Sequence, residues 1–278
     1  MMINSLALDR RTRTMMAILG CLVLFSGIFL AAWLYGEQGQ VTNLALRKLP
    51  PGWNQPFGTD WLGRDMFART LKGLRISLEI GLTAATCSAV IALVFGLAAA
   101  TMGRIVDVVV TWLCDVGMAT PHLVLLILIS FACGGGAKGV IIAVAASHWP
   151  ALTRVIRAEV MQLRTSDYIK LSRRLGKSPA WIARHHLLPH VVPQFLVGLL
   201  LLFPHAILHA AGLTFLGFGM SPHTPEIGIL LAESMRYLST GMWWLAVAPG
   251  LALIISVMAF DVLGNNVRAL LDPKTLRE

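Results

Sequence analysis

The chain has 278 residues, 56% of them hydrophobic and 13% charged, where a soluble domain carries about 25% charged residues. With a mean hydropathy of +0.71, it holds more apolar surface than a water-soluble core of this length can hide, so a soluble enzyme is excluded and lipid is the solvent for much of it. The formal net charge of +9 would suit nucleic acid, but its distribution along the chain gives a different reason for it.

Taken in order, the sequence contains six apolar stretches, at 15–35, 77–102, 108–131, 139–161, 191–215 and 244–263. Backbone groups in hydrocarbon must bond within their own segment, so each stretch is predicted to be a transmembrane helix and the fold class all-α. The first stretch follows Arg10, Arg11 and Arg13 as in a signal peptide, but it is longer than a typical h-region. No small-residue cleavage site follows cleanly, so it reads as a retained helix. Pro121, Pro150 and Pro204 lie in or beside these helices and predict kinks. The organisation expected is a cytoplasmic N-terminus (1–14), a first helix (15–35), an extracytoplasmic segment (36–76), a five-helix core (77–264) with a cytoplasmic loop at 165–190, and a cytoplasmic tail (265–278). Pro50-Pro51-Gly52 is the expected turn of the segment at 36–76.

With the N-terminus inside, 15 of the 23 Lys and Arg fall on the inner side, as the positive-inside rule requires. Both termini are then cytoplasmic, and the net charge is a matter of topology with no nucleic acid partner needed. Cys21, Cys87, Cys114 and Cys133 have no CxxC or Cys/His zinc spacing and read as small buried hydrophobes.

The inner stretch from Arg154 to His190 carries eight Lys and Arg against two acids, so it cannot enter lipid. Thr165-Ser166-Asp167 offers an N-cap, and Tyr168, Leu171 and Leu175 then share one helical face. Gly176 is placed to end that helix, and Ser178-Pro179 to cap and start a second. In the second, Trp181, His185 and Leu188 line a face and Pro189 closes the helix. Physics alone leaves two uses open: an interfacial helix pair lying on the membrane, or a docking knob for a soluble partner.

Gly176 and, nine residues on, His186-Leu187-Leu188-Pro189 resemble the "EAA" loop of ABC importer permeases, E-A-A-x3-G-x9-I-x-L-P. Lys170-Leu171-Ser172 stands where E-A-A would be, and His186 replaces the Ile. Phe57-Gly58-Thr59-Asp60-Trp61-Leu62-Gly63-Arg64-Asp65 with Arg75-Ile76-Ser77-Leu78 resembles the "GTDxLGRD…RxSL" signature of dipeptide, oligopeptide and nickel permeases. Gly212-Leu213-Thr214-Phe215-Leu216-Gly217-Phe218-Gly219 and the tail from Leu263 to Pro273 are similar to two further stretches of that family, the tail with Asn where the family has Asp.

The resemblance implies the type I importer permease fold, and the second, shorter permease of such systems, the C-type. It implies as partners a second permease subunit, two ATPase subunits and an extracytoplasmic substrate-binding protein in the inner membrane of a bacterium. Lys170, Leu171, Ser172, Gly176, His186, Leu188 and Pro189 would couple the permease to its ATPases. No GxxxxGK[ST] phosphate loop occurs in the sequence, so no cofactor is expected on this chain, and ATP with magnesium is expected on the partner ATPases.

Three other groups invite a chemical reading. Asp107 and Asp115, with Arg154 and Arg157, are expected to pair or snorkel near the inner boundary. Ser147-His148 suggests a nucleophile and base, but neighbouring helical side chains point about 100° apart and no orienting acid is close in sequence, so a hydrolase is not expected; His122 reads as a packing residue. His205 and His209, four residues apart, place two imidazoles on one helical face, a spacing that suits a metal ion. Peptide-type relatives usually carry Glu where His209 stands, and nickel-type relatives carry His. The pair is therefore expected to line the translocation path and to touch a metal transiently. Nickel or a metal–chelator complex is the expected cargo, with di- or oligopeptides as the alternative.

Overall fold

The computed structural model describes residues 10–35, 40–221 and 223–271; expectations for residues 1–9, and for the tail from Asp272 on, lie outside them. In order the helices are α1 (Arg10–Tyr35), α2 (Met66–Thr101), α3 (Arg104–Ala119), α4 (His122–Ala132), α5 (Gly136–Leu163), α6 (Asp167–Arg174), α7 (Pro179–Ile182), α8 (Leu188–Phe215), α9 (Ile227–Met235) and α10 (Trp244–Leu271). Among the described residues α1, α2, α5, α8 joined to α7, and α10 are long and apolar enough to cross a membrane. The helices α3 and α4 are apolar and long enough only when taken together, and they are bent by 102° at the break between them.

That bend is where the fold departs from a continuous third helix. Pro121 has no N–H to give and a ring that crowds the preceding turn, so α3 stops at Ala119 and α4 restarts at His122. The Thr120 hydroxyl donates to Val116 O at 2.8 Å, bonding a carbonyl at the broken end. The helices α5 and α8, by contrast, run on through Pro150 and Pro204.

The described residues divide into two compact units, those up to 80 with those from 210 on, and residues 81–209. In the first, α1 packs on α10 through Phe25 and Phe260, whose ring centroids are 4.1 Å apart, and Cys21 Sγ–H donates to Ala259 O. The irregular stretch before α2 is built around Asp60, which is fully buried. Its carboxylate accepts from Leu62 N, Arg64 N, Arg64 Nε (2.6 Å) and Arg69 Nη1 (2.7 Å). Arg69 Nη2 in turn donates to Glu233 Oε2 at 3.0 Å. Gly63 has φ +73°, and a Cβ there would lie 1.8 Å from Asn43 O; only glycine lets the backbone close this turn. The tight turn nearby spans Gly52 to Gln55, which exchange backbone hydrogen bonds, just after the expected Pro50-Pro51-Gly52.

In the second unit, buried alanines at 89, 92 and 100 of α2 let Leu152, Ile156 and Val160 of α5 approach closely. A Cβ on Gly96 would lie 2.7 Å from Ile156 Cγ2 and one on Gly198 would lie 2.4 Å from Leu152 Cδ1, the small-residue packing that membrane helices rely on. Arg157 of α5 grips Asp107 of α3 with two hydrogen bonds, the Nη2–Oδ2 one at 2.7 Å, and Arg154 pairs with Asp115. These acids and bases pair as expected. Of the cysteines, Cys21 and Cys114 are buried, but Cys87 and Cys133 are exposed, because their helix faces are not covered by this chain.

Candidate translocation and docking sites

The loop between α5 and α8 is a helical hairpin. The helix α6 begins after Ser166, whose hydroxyl donates back to Leu163 O at 2.6 Å instead of capping the helix. It ends in a Schellman turn, in which Gly176 N donates to Arg173 O and Lys177 N to Ser172 O. Gly176 has φ +77° with open space around it. Ser178 Oγ accepts from Trp181 N at 3.2 Å, and Pro179 takes the first position of α7.

The expected stripe faces outward. Ile169, Ile182 and Leu187 face the core at 0–3% exposure, while Tyr168, Leu171 and Leu175 stand 45%, 57% and 69% exposed. The apolar stripe read from the sequence is thus an outward surface, and the hairpin is anchored by residues lying between its members. Trp181 is half-buried, stacking on exposed His185 at 4.5 Å.

Nor does Pro189 end a helix. One π-helical turn spans Ala183–Leu187, closed by Leu188 N donating to Ala183 O. That wider turn gives the proline ring room, and α8 runs on through it. Lys170 pairs with Asp167 on the surface at 3.0 Å, Leu188 is half-buried and Pro189 exposed. Two of the departures from the E-A-A-x3-G-x9-I-x-L-P pattern meet: His186 Nε2 lies 3.1 Å from Ser172 Oγ. The same ring packs edge-on against Trp181 at 5.2 Å and Tyr168 at 5.7 Å. A polar ring replaces Ile here because a hydroxyl and two aromatic rings receive it.

Beneath the hairpin a cavity of about 140 Å³ is lined by Arg164, Arg173, Lys177 and Leu187 among others. Burial, and then the nearby Arg173 charge, hold the Arg164 guanidinium below its ordinary pKa. The guanidinium donates to Ala100 O.

The histidines are arranged differently from the expected pair. His209 is half-buried, whereas His205 is exposed and meets it through its backbone, its carbonyl oxygen lying 2.8 Å from His209 Nδ1. A carbonyl only accepts, so Nδ1 of His209 carries the proton. The ring that His209 meets is His148 of α5, with Nε2 3.3 Å from His209 Nδ1. His122, first residue of α4 after the break, stacks edge-on against both, with centroids 4.7 Å from His148 and 4.5 Å from His209. Each of these three residues offers one ring nitrogen within 4.8 Å of the others, and they are the group that could hold a metal among the described residues. Sequence reasoning missed His122 and His148 because they lie on separate helices. The one local signal was the Pro121-His122 step, which starts α4 with an imidazole at a break inside a span.

Ser147 and His148 do touch, at 3.0 Å, contrary to the expectation for neighbouring helical residues. Both turn back toward one carbonyl, Val144 O, at 3.2 Å and 2.9 Å. The serine hydroxyl is thereby engaged with backbone, and its residue is buried.

Comparison with known proteins places these features. The family described as "Binding-protein-dependent transport system inner membrane component" matches residues 92–277. A protein of Brucella suis, named as a peptide transport system permease, is 36% identical over 96% of this chain and 90% of its own length. The nickel transport system permease protein NikC of Escherichia coli is 35% identical over 88% of each chain. Among solved structures, the inward-facing MetNI methionine ABC transporter contains a chain that matches with a TM-score of 0.57, 19% identity, and coverage of 74% of this chain and 98% of that one. That likeness establishes the fold, that of a type I ABC importer permease.

Proposed function

The chain belongs to the family of inner-membrane components of binding-protein-dependent transport systems, and we propose that it forms half of an importer's translocation path for nickel or a metal–chelator complex. The other half is a second permease subunit. Two ATPase subunits bind ATP and magnesium beneath it, and an extracytoplasmic binding protein delivers the cargo. Both termini and the α6–α7 hairpin lie on the cytoplasmic side, where Tyr168, Leu171 and Leu175 form the apolar part of an ATPase contact. Closure of the ATPase dimer displaces the docked hairpin and shifts the spans between outward and inward access.

The single observation that supports a metal cargo is the meeting of His148 and His209 inside two membrane spans. Imidazole is a borderline nitrogen donor that suits nickel and discriminates against magnesium and calcium. Being neutral, it replaces hydration water without placing a fixed charge in the membrane. Weak, brief contact is what conduction needs, since release matters as much as capture. The test is uptake of radiolabelled nickel by proteoliposomes holding the complete complex with its binding protein. ATP-dependent nickel uptake is the expected result.

A second reading, import of di- or oligopeptides, is favoured by the name of the Brucella suis relative. Uptake of labelled dipeptide without nickel uptake in the same vesicles would establish it in place of the first.

A further inference from the structure

The three imidazoles carry more than the pairwise contact used above. In His148, Nδ1 lies 2.9 Å from Val144 O, and a carbonyl can only accept, so Nδ1 holds the proton. Nε2 of the neutral ring therefore holds its lone pair, which lies 3.3 Å from the Nδ1–H of His209. The same logic fixes His209, whose Nδ1–H is held by His205 O at 2.8 Å, leaving its Nε2 bare. A ring whose far N–H is pinned by a backbone carbonyl is oriented as metal-bound histidines are. His122 supplies an independent sign: its Nε2 is buried and has no hydrogen-bond partner, which costs free energy unless something else occupies that position.

Their spacing suits one ion. With metal–nitrogen bonds of about 2.1 Å, neighbouring ligands in a tetrahedral site lie roughly 3.4 Å apart. One ring nitrogen of each residue lies within 4.8 Å of those of the other two, so ring rotations close the group on a cation. His122 sits at the helix break, where α4 restarts, and such interruptions inside a membrane protein are kept where they serve a cavity or a ligand.

We propose that His122, His148 and His209 are the ligands of a three-nitrogen site for a borderline divalent cation such as Ni(II) or Co(II), with the remaining coordination positions left to water or to the cargo's own donors. This deepens the metal-cargo reading and rests on it for its purpose. The cargo it fits is a metal whose ligands exchange, not one wrapped completely by a chelator. His205 is not a ligand; it orients His209 through its backbone carbonyl.

The test is titration of the purified, assembled complex in nanodiscs with cobalt(II), followed by its visible absorption bands, and with nickel(II) by calorimetry. The wild-type complex is expected to bind one ion per permease with a nitrogen-ligated cobalt spectrum that excess magnesium does not abolish. His122→Gln, His148→Gln and His209→Gln should each weaken binding by at least about tenfold, comparable to or beyond the loss of an outer-shell partner. His205→Ala keeps the carbonyl and should stay within about twofold. Size-exclusion profiles matching wild type establish that each variant complex is assembled. No cobalt bands in the wild type, or unchanged binding in all three glutamine variants, overturns the site. The outcome is separate from the cargo assignment: binding at the imidazoles with uptake of dipeptide alone would uphold the site and remove nickel as cargo. Nickel uptake that is unaffected in all three variants would do the reverse.

Discussion

The stretch leading into α2 and the α6–α7 hairpin are both short irregular segments between long apolar helices, yet they are built in opposite ways. The first closes on itself: Asp60 is fully buried, Arg69 2% exposed, and both are committed to partners within their own unit. The hairpin keeps its anchors underneath and turns Tyr168, Leu171 and Leu175 outward. An ion network centred on a buried carboxylate and guanidinium fixes a geometry, whereas an apolar face left open on a charged loop leaves room for the ATPase contact proposed above. The contrast separates residues whose loss should unfold the protein from residues whose loss should only disconnect it.

The sharpest break of that contrast is Arg69→Met. It strands Asp60 and Glu233 without their shared guanidinium, and removing one partner of a buried ion pair costs about 3–5 kcal/mol. Thermal unfolding in detergent should show a large loss, while ATPase binding by whatever remains folded is normal. Next comes Gly63→Ala, where a positive φ and a Cβ 1.8 Å from Asn43 O must both be accommodated. The left-handed conformation alone costs about 1–2 kcal/mol, and the clash adds to it, so the melting temperature should drop measurably.

Gly176 has the same sign of φ but open space around it. Gly176→Ala should therefore cost only the conformational term, about 1–2 kcal/mol. Gly176→Asp adds a charge at the proposed docking face, and should reduce copurification of the ATPases and uptake while the chain still inserts. Normal copurification with normal uptake in Gly176→Asp would mean that the hairpin lies passively on the membrane.

The smallest effect concerns pH. Glu226 caps α9, accepting from Gly228 N at 3.0 Å and from Ser77 Oγ at 2.6 Å, and burial pushes its carboxyl above the ordinary range. A raised folded-state value contributes stability that is fully present below the ordinary glutamate pKa and is lost as pH rises through the raised one. Glu226→Gln keeps an acceptor for the cap without the titration. Denaturation midpoints should thus show wild type losing ground to Glu226→Gln as pH is raised from acid toward neutral.

Local chemistry was legible in the sequence, and long-range chemistry was not. The apolar stretches, the glycine stop at 176 and the Ser178-Pro179 start all depend on residues near each other in the chain, and each appears where the pattern put it, save that the stretch at 108–131 is two helices broken before His122. Periodicity found the 168–171–175 stripe without saying what covers it; Ile169, one position off the stripe, is the residue that the core takes. The Gly58-to-Asp65 signature carried a resemblance, but the fastening of Asp60 to Glu233 through Arg69 spans 164 positions between Arg69 and Glu233. The imidazole group fails for the same reason, since His148 and His209 are 61 positions apart. Pattern reading paired His209 with its nearest histidine, and tertiary packing paired it with two others.

The central claim is that this permease passes a metal through an imidazole-lined point in its spans. It is met most directly by radiolabelled nickel uptake in proteoliposomes of the complete complex, wild type beside His148→Gln. The account predicts ATP-dependent uptake by wild type and uptake reduced about tenfold or more in His148→Gln at limiting metal, with ATP hydrolysis still turning over in both. No nickel uptake by the wild-type complex, with labelled dipeptide accumulating in the same vesicles, would contradict it.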